Sequence, residues 1–336
     1  MIPPNPFVPL SHGGDLDAAR KLFPGAPEPF VDLSTAINPH PYPIPHASPE
    51  DFARLPDAES LKRLTGNAAT AYAAPSEANV VPAAGTQILM TLVAGLVPPG
   101  RAAILGPTYA EHARVAALAG HAVTTVPELA PLGEADLAIV VNPNNPDGRV
   151  FGTGELLRIA EKQRERSGLL VVDEAFVDAG PRGESLSPHV EEANIIVLRS
   201  FGKFFGLAGI RLSFALAAKE LAARLRASLG PWPVSGPALT VGKAALGDED
   251  WIEQTRLSLG KATHRLEVLL QDAGLESVGH TELFHLVRSP EAQQTFERLG
   301  RAGIFVRRFE EQSEWLRFGL PGEEDAWRRL EAALRS

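Results

Sequence analysis

The sequence predicts an α/β protein built on a mainly parallel sheet with helices on both faces. Short apolar runs alternate with helical patterns from about residue 80 onward, at 102–105, 137–141, 169–173, 195–198 and 212–216. This alternation is typical of βαβ units. The runs are apolar without interruption, as expected for strands that are buried on both faces. Polar residues follow several of the runs directly, and ligands of open α/β sheets bind beyond the carboxyl ends of the strands.

The distribution of proline and the change in hydrophobic periodicity divide the chain into three predicted regions. The segment GPWPVSGP at 230–237 carries three prolines and predicts a boundary near residue 232. It separates a large domain over 46–232 from a smaller α/β domain over 233–336. The smaller domain contains a long helical pattern, from Glu249 to Ala273, and then short strand patterns. Residues 1–45 are rich in proline and predict an extended arm that contributes to the site.

Composition excludes several classes of function. The chain has 336 residues, a formal net charge of −9 and no cysteine. It therefore has no disulfide, thiolate metal site or cysteine nucleophile. No basic run indicates a nucleic acid or a membrane surface as partner, so a small-molecule ligand is predicted, and nothing points to a metal. Prolines interrupt the N-terminal segment where a signal peptide needs an apolar core, so we expect a cytoplasmic protein.

Lys203 is the first candidate catalytic residue. It lies in VLRSFGKFFGLAGIRLSFAL, an apolar stretch in which the only other charged residues are Arg199 and Arg211. Desolvation disfavours an ammonium group, and a neutral amine is a nucleophile that forms Schiff bases with carbonyl compounds. The alternative for an isolated lysine is that its stem is buried and its charged end reaches solvent.

A phosphate-binding site is indicated by residues around this lysine and near residue 85. Ser200 offers a hydroxyl and Arg211 a guanidinium. The segment AAGTQ at 83–87 precedes a helical pattern, so the amides of Gly85, Thr86 and Gln87 would lie at a helix N-terminus. Such amides bind phosphate well. By itself, such a segment is more often only a helix cap.

Two further polar groups follow buried strands. Asp173 ends the strand LLVVD, and a carboxylate there suits the protonated ring nitrogen of pyridoxal phosphate. Asn145 lies in the turn NPNNPDG, where it could donate to the phenolic oxygen of that cofactor. The structural alternatives are an N-cap aspartate and an ordinary turn.

An aromatic residue and an arginine complete the set. The ring of Tyr109, in GPTYAEH, could stack on a cofactor ring, or it could be a core tyrosine. Arg317, in WLRFGLP, could bind a substrate carboxylate through both ends of its guanidinium. The alternative for this arginine is a structural ion pair with one of Glu310, Glu311 or Glu314.

These motifs, in this order, resemble the fold-type I pyridoxal-phosphate enzymes of the aspartate aminotransferase superfamily. The resemblance covers nearly the whole chain and implies a seven-stranded large-domain sheet and a homodimer. It implies that Lys203 forms the Schiff base, that Asp173 pairs with the ring nitrogen and that Asn145 contacts the ring oxygen. It places the other cofactor contacts at Gly85, Thr86, Gln87, Tyr109, Phe176, Ser200 and Arg211, and the contact to the substrate α-carboxylate at Arg317 and Asn145.

Within that superfamily the chain is most similar to the branch that holds histidinol-phosphate aminotransferases and threonine-phosphate decarboxylases, and more to the second group. That likeness rests on the N-terminal stretch from SHGGD to INPHPYP, and on SFGKFFGLAGIRLSFAL and LRFGLP. Two departures matter. Phe176 stands where many relatives have tyrosine, and Leu55 stands where the aminotransferases have the tyrosine of an RYP motif that reaches the partner subunit's cofactor.

The resemblance implies decarboxylation of L-threonine O-3-phosphate to (R)-1-amino-2-propanol phosphate and CO2, a reaction of cobalamin biosynthesis. The alternatives are a histidinol-phosphate or broad-specificity aminotransferase, and a catalytically idle sensor module with the same fold. The substrate carries a second phosphate. From motif position and polar character, the candidates to bind that phosphate are His12, Gly13, Gly14, Ser34 and Asn38.

Overall fold

The computed structural model describes residues 12–180 and 185–335. The α-helices are α1 (Leu16–Leu22), α2 (Pro49–Ala53), α3 (Ala58–Ala71), α4 (Thr86–Ala94), α5 (Glu111–Leu118), α6 (Thr153–Glu165), α7 (Phe201–Phe204), α8 (Lys219–Leu229), α9 (Gly236–Leu246), α10 (Glu249–Asp272), α11 (Ala292–Arg301) and α12 (Glu324–Arg335). The strands are β1 (Val31–Asp32), β2 (Val80–Ala83), β3 (Arg101–Leu105), β4 (Ala122–Val126), β5 (Leu137–Val141), β6 (Leu169–Asp173), β7 (Ile195–Ser200), β8 (Ser213–Ala217), β9 (Glu276–Thr281), β10 (Phe284–Arg288), β11 (Ile304–Phe305), β12 (Arg307–Phe309) and β13 (Gln312–Gly319).

These elements form two compact units. The described residues of the large unit are Tyr42–Asn145, 150–180 and 185–252. Those of the small unit are 12–41, Pro146–Arg149 and 253–335. Of the predicted arm over 1–45, residues 1–11 lie outside the described residues. The rest of that arm is not wholly extended, because it contains α1 and β1.

The large unit is built on a seven-stranded sheet with the strand order β2-β8-β7-β6-β5-β3-β4. Every residue of β5 and β6 is buried, which agrees with their uninterrupted apolar sequences. Leu89 of α4, Ile104 of β3 and Val171 of β6 belong to one apolar core cluster. The predicted class, an α/β fold on a mainly parallel sheet, is confirmed.

Only β8 runs against the other strands of this sheet. It pairs antiparallel with both β7 and β2, whereas β7, β6, β5, β3 and β4 pair parallel. Parallel neighbours need a crossover long enough to return to the opposite edge of the sheet. Between β7 and β8 the chain forms only α7 and one short 3-10 turn, Ala208–Ile210, so it reverses direction at the same edge.

The sequence patterns did not reveal β2, β4 and β9, and all three are edge strands. Edge strands are short or polar because one side lacks a strand partner. In β4 the side chains of Ala122, Thr124 and Thr125 are exposed. In β2, Pro82 cannot donate a backbone hydrogen bond, which is acceptable only at an edge.

The small unit contains a four-stranded antiparallel sheet with the order β12-β13-β10-β9. Its N-terminal segment is held in the unit by main-chain pairing. Strand β1 pairs parallel with β11, and the amide of Gly319 donates to the carbonyl oxygen of Leu33 at 2.7 Å. The N-terminal residues and the C-terminal strands therefore share one folded unit. No helix in the described ranges is long and apolar enough to cross a membrane.

Candidate active site

The predicted cofactor residues of the large unit meet at one edge of the seven-stranded sheet. Strands β2, β3, β5, β6 and β7 all point their carboxyl ends toward this edge, and β8 begins there. The direction of the strands thus collects side chains that are distant in sequence.

A close approach between Gly85 and Arg211 forms one side of the site. Gly85 has φ +97°, and a Cβ on it would lie 2.1 Å from Arg211 Nη2. Only glycine leaves room for the guanidinium here. Helix α4 begins at the next residue, and no side chain caps its N-terminus. Its first amides and the guanidinium therefore form a cradle suited to a phosphate.

Two side chains beside this cradle bond to neighbours. Thr86 Oγ1 lies 2.9 Å from Ser213 Oγ, which identifies Ser213 as a site residue that the sequence analysis missed. Gln87 Nε2 donates to the buried Glu111 at 2.7 Å, so its side chain joins α4 to α5. The predicted contribution of Gln87 was its backbone amide, which this side-chain bond does not involve.

Ser200 ends β7, and Lys203 stands on α7, which follows directly. Ser200 is the N-cap residue of this helix, and Lys203 is half-buried within it. The flanking Phe201 and Phe204 are fully buried, so the helix is anchored on both sides of the lysine. Lys203 Nζ lies 5.7 Å from the ring centroid of Phe176, which is itself buried.

Asp173 is buried at the end of β6 and is oriented by His112. Asp173 Oδ2 lies 2.9 Å from His112 Nε2, and Asp173 Oδ1 accepts a hydrogen bond from the amide of Ala175. The ring of Tyr109 lies edge-on to the imidazole, with 6.1 Å between the ring centroids. His112 was not identified from the sequence. The available signal was helical periodicity, because His112, Val115 and Ala116 form the buried face of α5.

The turn after β5 contains two asparagines with structural hydrogen bonds, Asn142 and Asn144, and Asn145 follows them. The Asn142 side chain both donates to and accepts from the main chain of Phe151. Asn144 accepts from Thr108 Oγ1 and donates to the carbonyl oxygen of Pro107. Both of these asparagines are buried, whereas Asn145 is half-buried. The structure therefore distinguishes Asn145 from its two neighbours, which the motif alone could not do.

In the small unit, Arg317 is nearly buried on β13. Its Nη2 donates to the carbonyl oxygen of Ser34 at 2.7 Å, and its guanidinium carbon lies 5.2 Å from the ring centroid of Phe284. Of the three glutamates weighed as ion-pair partners, Glu314 pairs with Arg288. Arg317 therefore binds to the N-terminal segment.

Ser34 also holds the glycines that follow His12. The amide of Gly14 donates to Ser34 Oγ at 2.8 Å, and Ser34 Oγ donates to Asp32 Oδ1 at 2.6 Å. A Cβ at Gly13 would lie 2.4 Å from the Ser34 carbonyl oxygen. The structure thus brings His12–Gly14, Ser34 and Arg317 together.

The two remaining predicted residues of this region differ in exposure. His12 is exposed. Asn38 is buried, and its Oδ1 accepts a hydrogen bond from the amide of His40.

Arg307 is a second arginine of this region that the sequence analysis missed. It lies directly opposite Arg317 in the register of β12 and β13. Side chains at opposed positions of an antiparallel pair lie on the same face, so Arg307 and Arg317 place two guanidinium groups on one face of this sheet.

The chemistry of the large-unit residues fits pyridoxal phosphate. They offer an amine, a carboxylate held by an imidazole, an amide donor and a phosphate cradle that a Cβ at Gly85 would fill.

Comparison with known proteins agrees. A model of the family described as aminotransferase class I and II matches residues 32–333, and the chain belongs to this family. It is a pyridoxal-phosphate-dependent enzyme, so the predicted family and cofactor are confirmed.

Several relatives share most of the chain. A threonine-phosphate decarboxylase from a Sinorhizobium species is 44% identical over 97% of this chain and 98% of its own length. One from Pseudomonas aeruginosa is 41% identical over 97% of each chain. A histidinol-phosphate aminotransferase from Psychrobacter arcticus is 32% identical, over 60% of this chain and 54% of its own length.

Among solved structures, histidinol-phosphate aminotransferase from Sinorhizobium meliloti, in complex with pyridoxal-5'-phosphate, superposes with a TM-score of 0.81. Its sequence is 22% identical, and the match covers 98% of this chain and 94% of that one. This likeness supports the fold.

Proposed function

We propose that the chain decarboxylates L-threonine O-3-phosphate to (R)-1-amino-2-propanol phosphate and CO2. The observation that carries the proposal is the pair of arginines in the small unit, Arg307 and Arg317, because the substrate has two anionic groups that must be held apart. We call these arginines, together with His12–Gly14, Ser34 and Asn38, the small-unit region. Ser34 bonds to Arg317 through its carbonyl oxygen and to Gly14 through its hydroxyl. The two decarboxylase relatives that align over nearly their whole length support the same activity.

On the large unit, each residue has a proposed role toward the cofactor. Lys203 binds it covalently, and Asp173 holds the proton on its ring nitrogen. Asn145 donates to its phenolic oxygen, with no help from a phenol at position 176, and Tyr109 stacks on its ring. Its phosphate is bound by Gly85, Thr86, Gln87, Ser200 and Arg211.

His112 secures the role proposed for Asp173. A carboxylate that is hydrogen-bonded to an imidazole keeps its orientation. When bound, pyridoxal phosphate supplies an electron sink for the electron pair left as a bond to the substrate α-carbon breaks.

The substrate contacts decide which bond breaks. In decarboxylation the bond between the α-carbon and the carboxylate carbon breaks, CO2 leaves, and a proton takes its place on the α-carbon. The substrate amine would displace Lys203 from the cofactor, and we assign delivery of that proton to the protonated Lys203 amino group so released. Arg317, as the residue assigned to the carboxylate in the small unit, would favour the orientation in which this bond breaks over the one in which the α-proton is lost.

The substrate phosphate is assigned to the remaining groups of the small-unit region. Arg307 contributes a guanidinium, and His12 contributes an imidazole on an exposed loop. Gly13 and Gly14 allow the main chain to approach the ligand closely. The side chains of Ser34 and Asn38 are buried, so we assign them to the floor of this region.

The test is to incubate the holoenzyme with L-threonine O-3-phosphate and no keto acid, and to measure CO2. We expect stoichiometric CO2 and an amino alcohol phosphate. An aminotransferase would instead need 2-oxoglutarate, would release no CO2 and would convert histidinol phosphate or a range of amino acids. That outcome would contradict the proposal and support an aminotransferase. Inactivity toward all of these substrates would support a catalytically idle sensor module.

We propose that the enzyme serves cobalamin biosynthesis, as the identity of its product implies, and that it acts in the cytoplasm. We also propose a homodimer. Three large apolar side chains of the large unit, Ile44, Phe52 and Leu55, are at least 65% exposed. Leu55 stands where the resemblance implies a tyrosine that reaches the partner subunit's cofactor, so that contact is lost or replaced in this chain. Light scattering of the purified enzyme measures the oligomer, and a monomer would contradict this proposal.

A further inference from the structure

A buried ionic cluster lies behind the strand ends that carry the cofactor residues. Arg199 of β7 pairs with Glu174 at 3.0 Å and with Asp178. Its Nη1 also donates to Ser185 Oγ, and its guanidinium carbon lies 4.3 Å from the centroid of the Tyr72 ring. None of the roles assigned above uses this cluster.

Burial makes the cluster costly unless its geometry is good. Glu174 is fully buried and Arg199 is 4% exposed. Removing charges from water costs several kcal/mol per ion, so a buried pair is weak evidence of added stability. Burial raises the pKa of Glu174, and the Arg199 charge opposes that effect. Hydrogen bonds from the amide of Leu186 and from Ser185 Oγ satisfy the Glu174 oxygens.

The place of the cluster indicates its role. Glu174 follows Asp173 directly, and Arg199 precedes Ser200 directly. Arg199 and Ser200 are successive residues of β7 and therefore point to opposite faces, so the ion pair that Arg199 forms with Glu174 lies on the face opposite to Ser200. The regular pairing of β6 with β7 ends at Asp173 and Leu198, and the amide of Glu174 donates to the carbonyl oxygen of Leu198 at 2.8 Å.

The cluster joins three segments to one guanidinium. Through Glu174 it fixes the end of β6. Through Asp178 it fixes the turn Val177–Ala179, which follows Phe176, the ring beside Lys203 Nζ, and it also bonds to Ser185. Arg199 itself belongs to the strand that continues into α7. Arginine suits this role because its fork of donors can serve several acceptors at fixed angles, which the single ammonium of lysine cannot do.

We propose that Arg199 is a positioning residue, which through Glu174 and Asp178 holds Asp173, Phe176 and Lys203 in the arrangement that binds the cofactor. Arg199 does not touch the cofactor. The proposal requires the cofactor but not a particular substrate, so it stands or fails independently of the decarboxylase proposal.

The test compares Arg199→Lys with Arg226→Lys. Arg226 Nη1 also joins separate segments, because it donates to the carbonyl oxygens of Ala78 and Val80, but these lie at the amino end of β2, opposite to the site edge. Three quantities are measured on each protein: the dissociation constant of pyridoxal phosphate, the visible circular dichroism of the bound cofactor, and the Tm of the cofactor-free form.

We expect Arg199→Lys to raise the dissociation constant by about 10-fold and to change the circular dichroism, since small misplacements of site groups have large effects. Arg226→Lys should lower Tm while it leaves the other two quantities within twofold of the wild type. If Arg199→Lys lowers Tm and leaves the other two quantities at their wild-type values, Arg199 is only a structural residue and the proposal is overturned.

A second variant keeps the proposal testable if Arg199→Lys does not fold. Glu174→Gln retains the shape of the side chain and an oxygen that can accept from Leu186, and it removes the charge that Arg199 pairs with. We expect its dissociation constant to rise about threefold, with the same change in circular dichroism. Wild-type values of both quantities in this variant would also overturn the proposal.

Discussion

In the large unit, the predicted cofactor contacts stand at the strand ends or in the first turn of an adjoining segment. In the small unit, the predicted substrate contacts come from segments far apart in sequence, such as Ser34 and Arg317, which are 283 residues apart. Strand direction collects the first set, because parallel strands end at one edge. The second set is collected by particular pairings, of β1 with β11 and of Gly319 with Leu33.

The difference explains why the two sets leave different marks in the sequence. A residue at the end of a buried strand is marked in the sequence, because a polar group there interrupts an apolar run. Ser34 and Arg307 carry no such mark. Substitutions in the large unit should therefore affect cofactor binding for every substrate. Substitutions in the small unit should affect one substrate class more than another.

The largest expected effect is that of Lys203→Ala. Without the amine, the cofactor cannot be bound covalently and the α-carbon has no proton donor, so kcat should fall by about 10²–10⁴-fold or more. Borohydride reduction followed by peptide mapping should label Lys203 in the wild type and nothing at position 203 in the variant. A variant that keeps full activity would refute the proposed role of this lysine.

Gly85→Ala tests the phosphate cradle. The new Cβ would meet the Arg211 guanidinium, and alanine is strained at φ +97°, so the dissociation constant of pyridoxal phosphate should rise by about 10- to 100-fold, as expected for a lost charge-assisted contact. Gly95→Ala is the matched control, because Gly95 ends the same helix with φ −86° and a Cβ there meets only ordinary contacts. Equal effects of the two substitutions would show that the cradle is not special.

His12→Ala tests the substrate side. Loss of a contact to the phosphate should raise KM for L-threonine O-3-phosphate by about 10-fold and leave KM for unphosphorylated threonine within about twofold. His40→Ala, also an exposed histidine of the N-terminal segment, is the control and should change neither value. If His12→Ala raises both KM values equally, His12 does not bind the phosphate.

The smallest expected effect concerns the stability of the small unit. Burial and the adjacent His280 lower the pKa of His285 from about 6.5 to about 4. The imidazole is fixed between Ser277 Oγ and the carbonyl oxygen of Thr263. The unfolded chain takes up a proton below about pH 6.5 while the folded chain does not, so stability is lost as the pH falls through that range.

Between about pH 7.5 and about pH 5.5 this loss should amount to about 1.4 kcal/mol of unfolding free energy. Urea unfolding of the cofactor-free protein at both pH values measures it. His285→Gln should show a correspondingly smaller difference between the two pH values, and the exposed His264→Gln should retain the wild-type difference. An unchanged pH dependence in His285→Gln would contradict the assignment.

The sequence alone was sufficient to predict the central strands of the sheet and the identity of the cofactor. Strands β5 and β6 were predicted at their observed bounds, because buried parallel strands are uninterrupted apolar runs. Edge strands β2, β4 and β9 were missed because exposure or a proline breaks such runs. His112 was missed because a buried histidine on a helix occurs at the same spacing as an apolar core residue. Only its contact with Asp173 in the folded structure distinguishes it.

The sequence by itself determined the class of fold, the family and the chemical types of the groups at the sheet edge. These follow from local patterns, which a short window of residues contains. Tertiary structure alone decided which groups meet. It placed His112 on Asp173, Arg307 opposite Arg317, and the Arg199 guanidinium between Glu174 and Asp178. Each of these contacts joins residues of different elements. Whether such residues meet depends on packing and strand register, which no local pattern specifies.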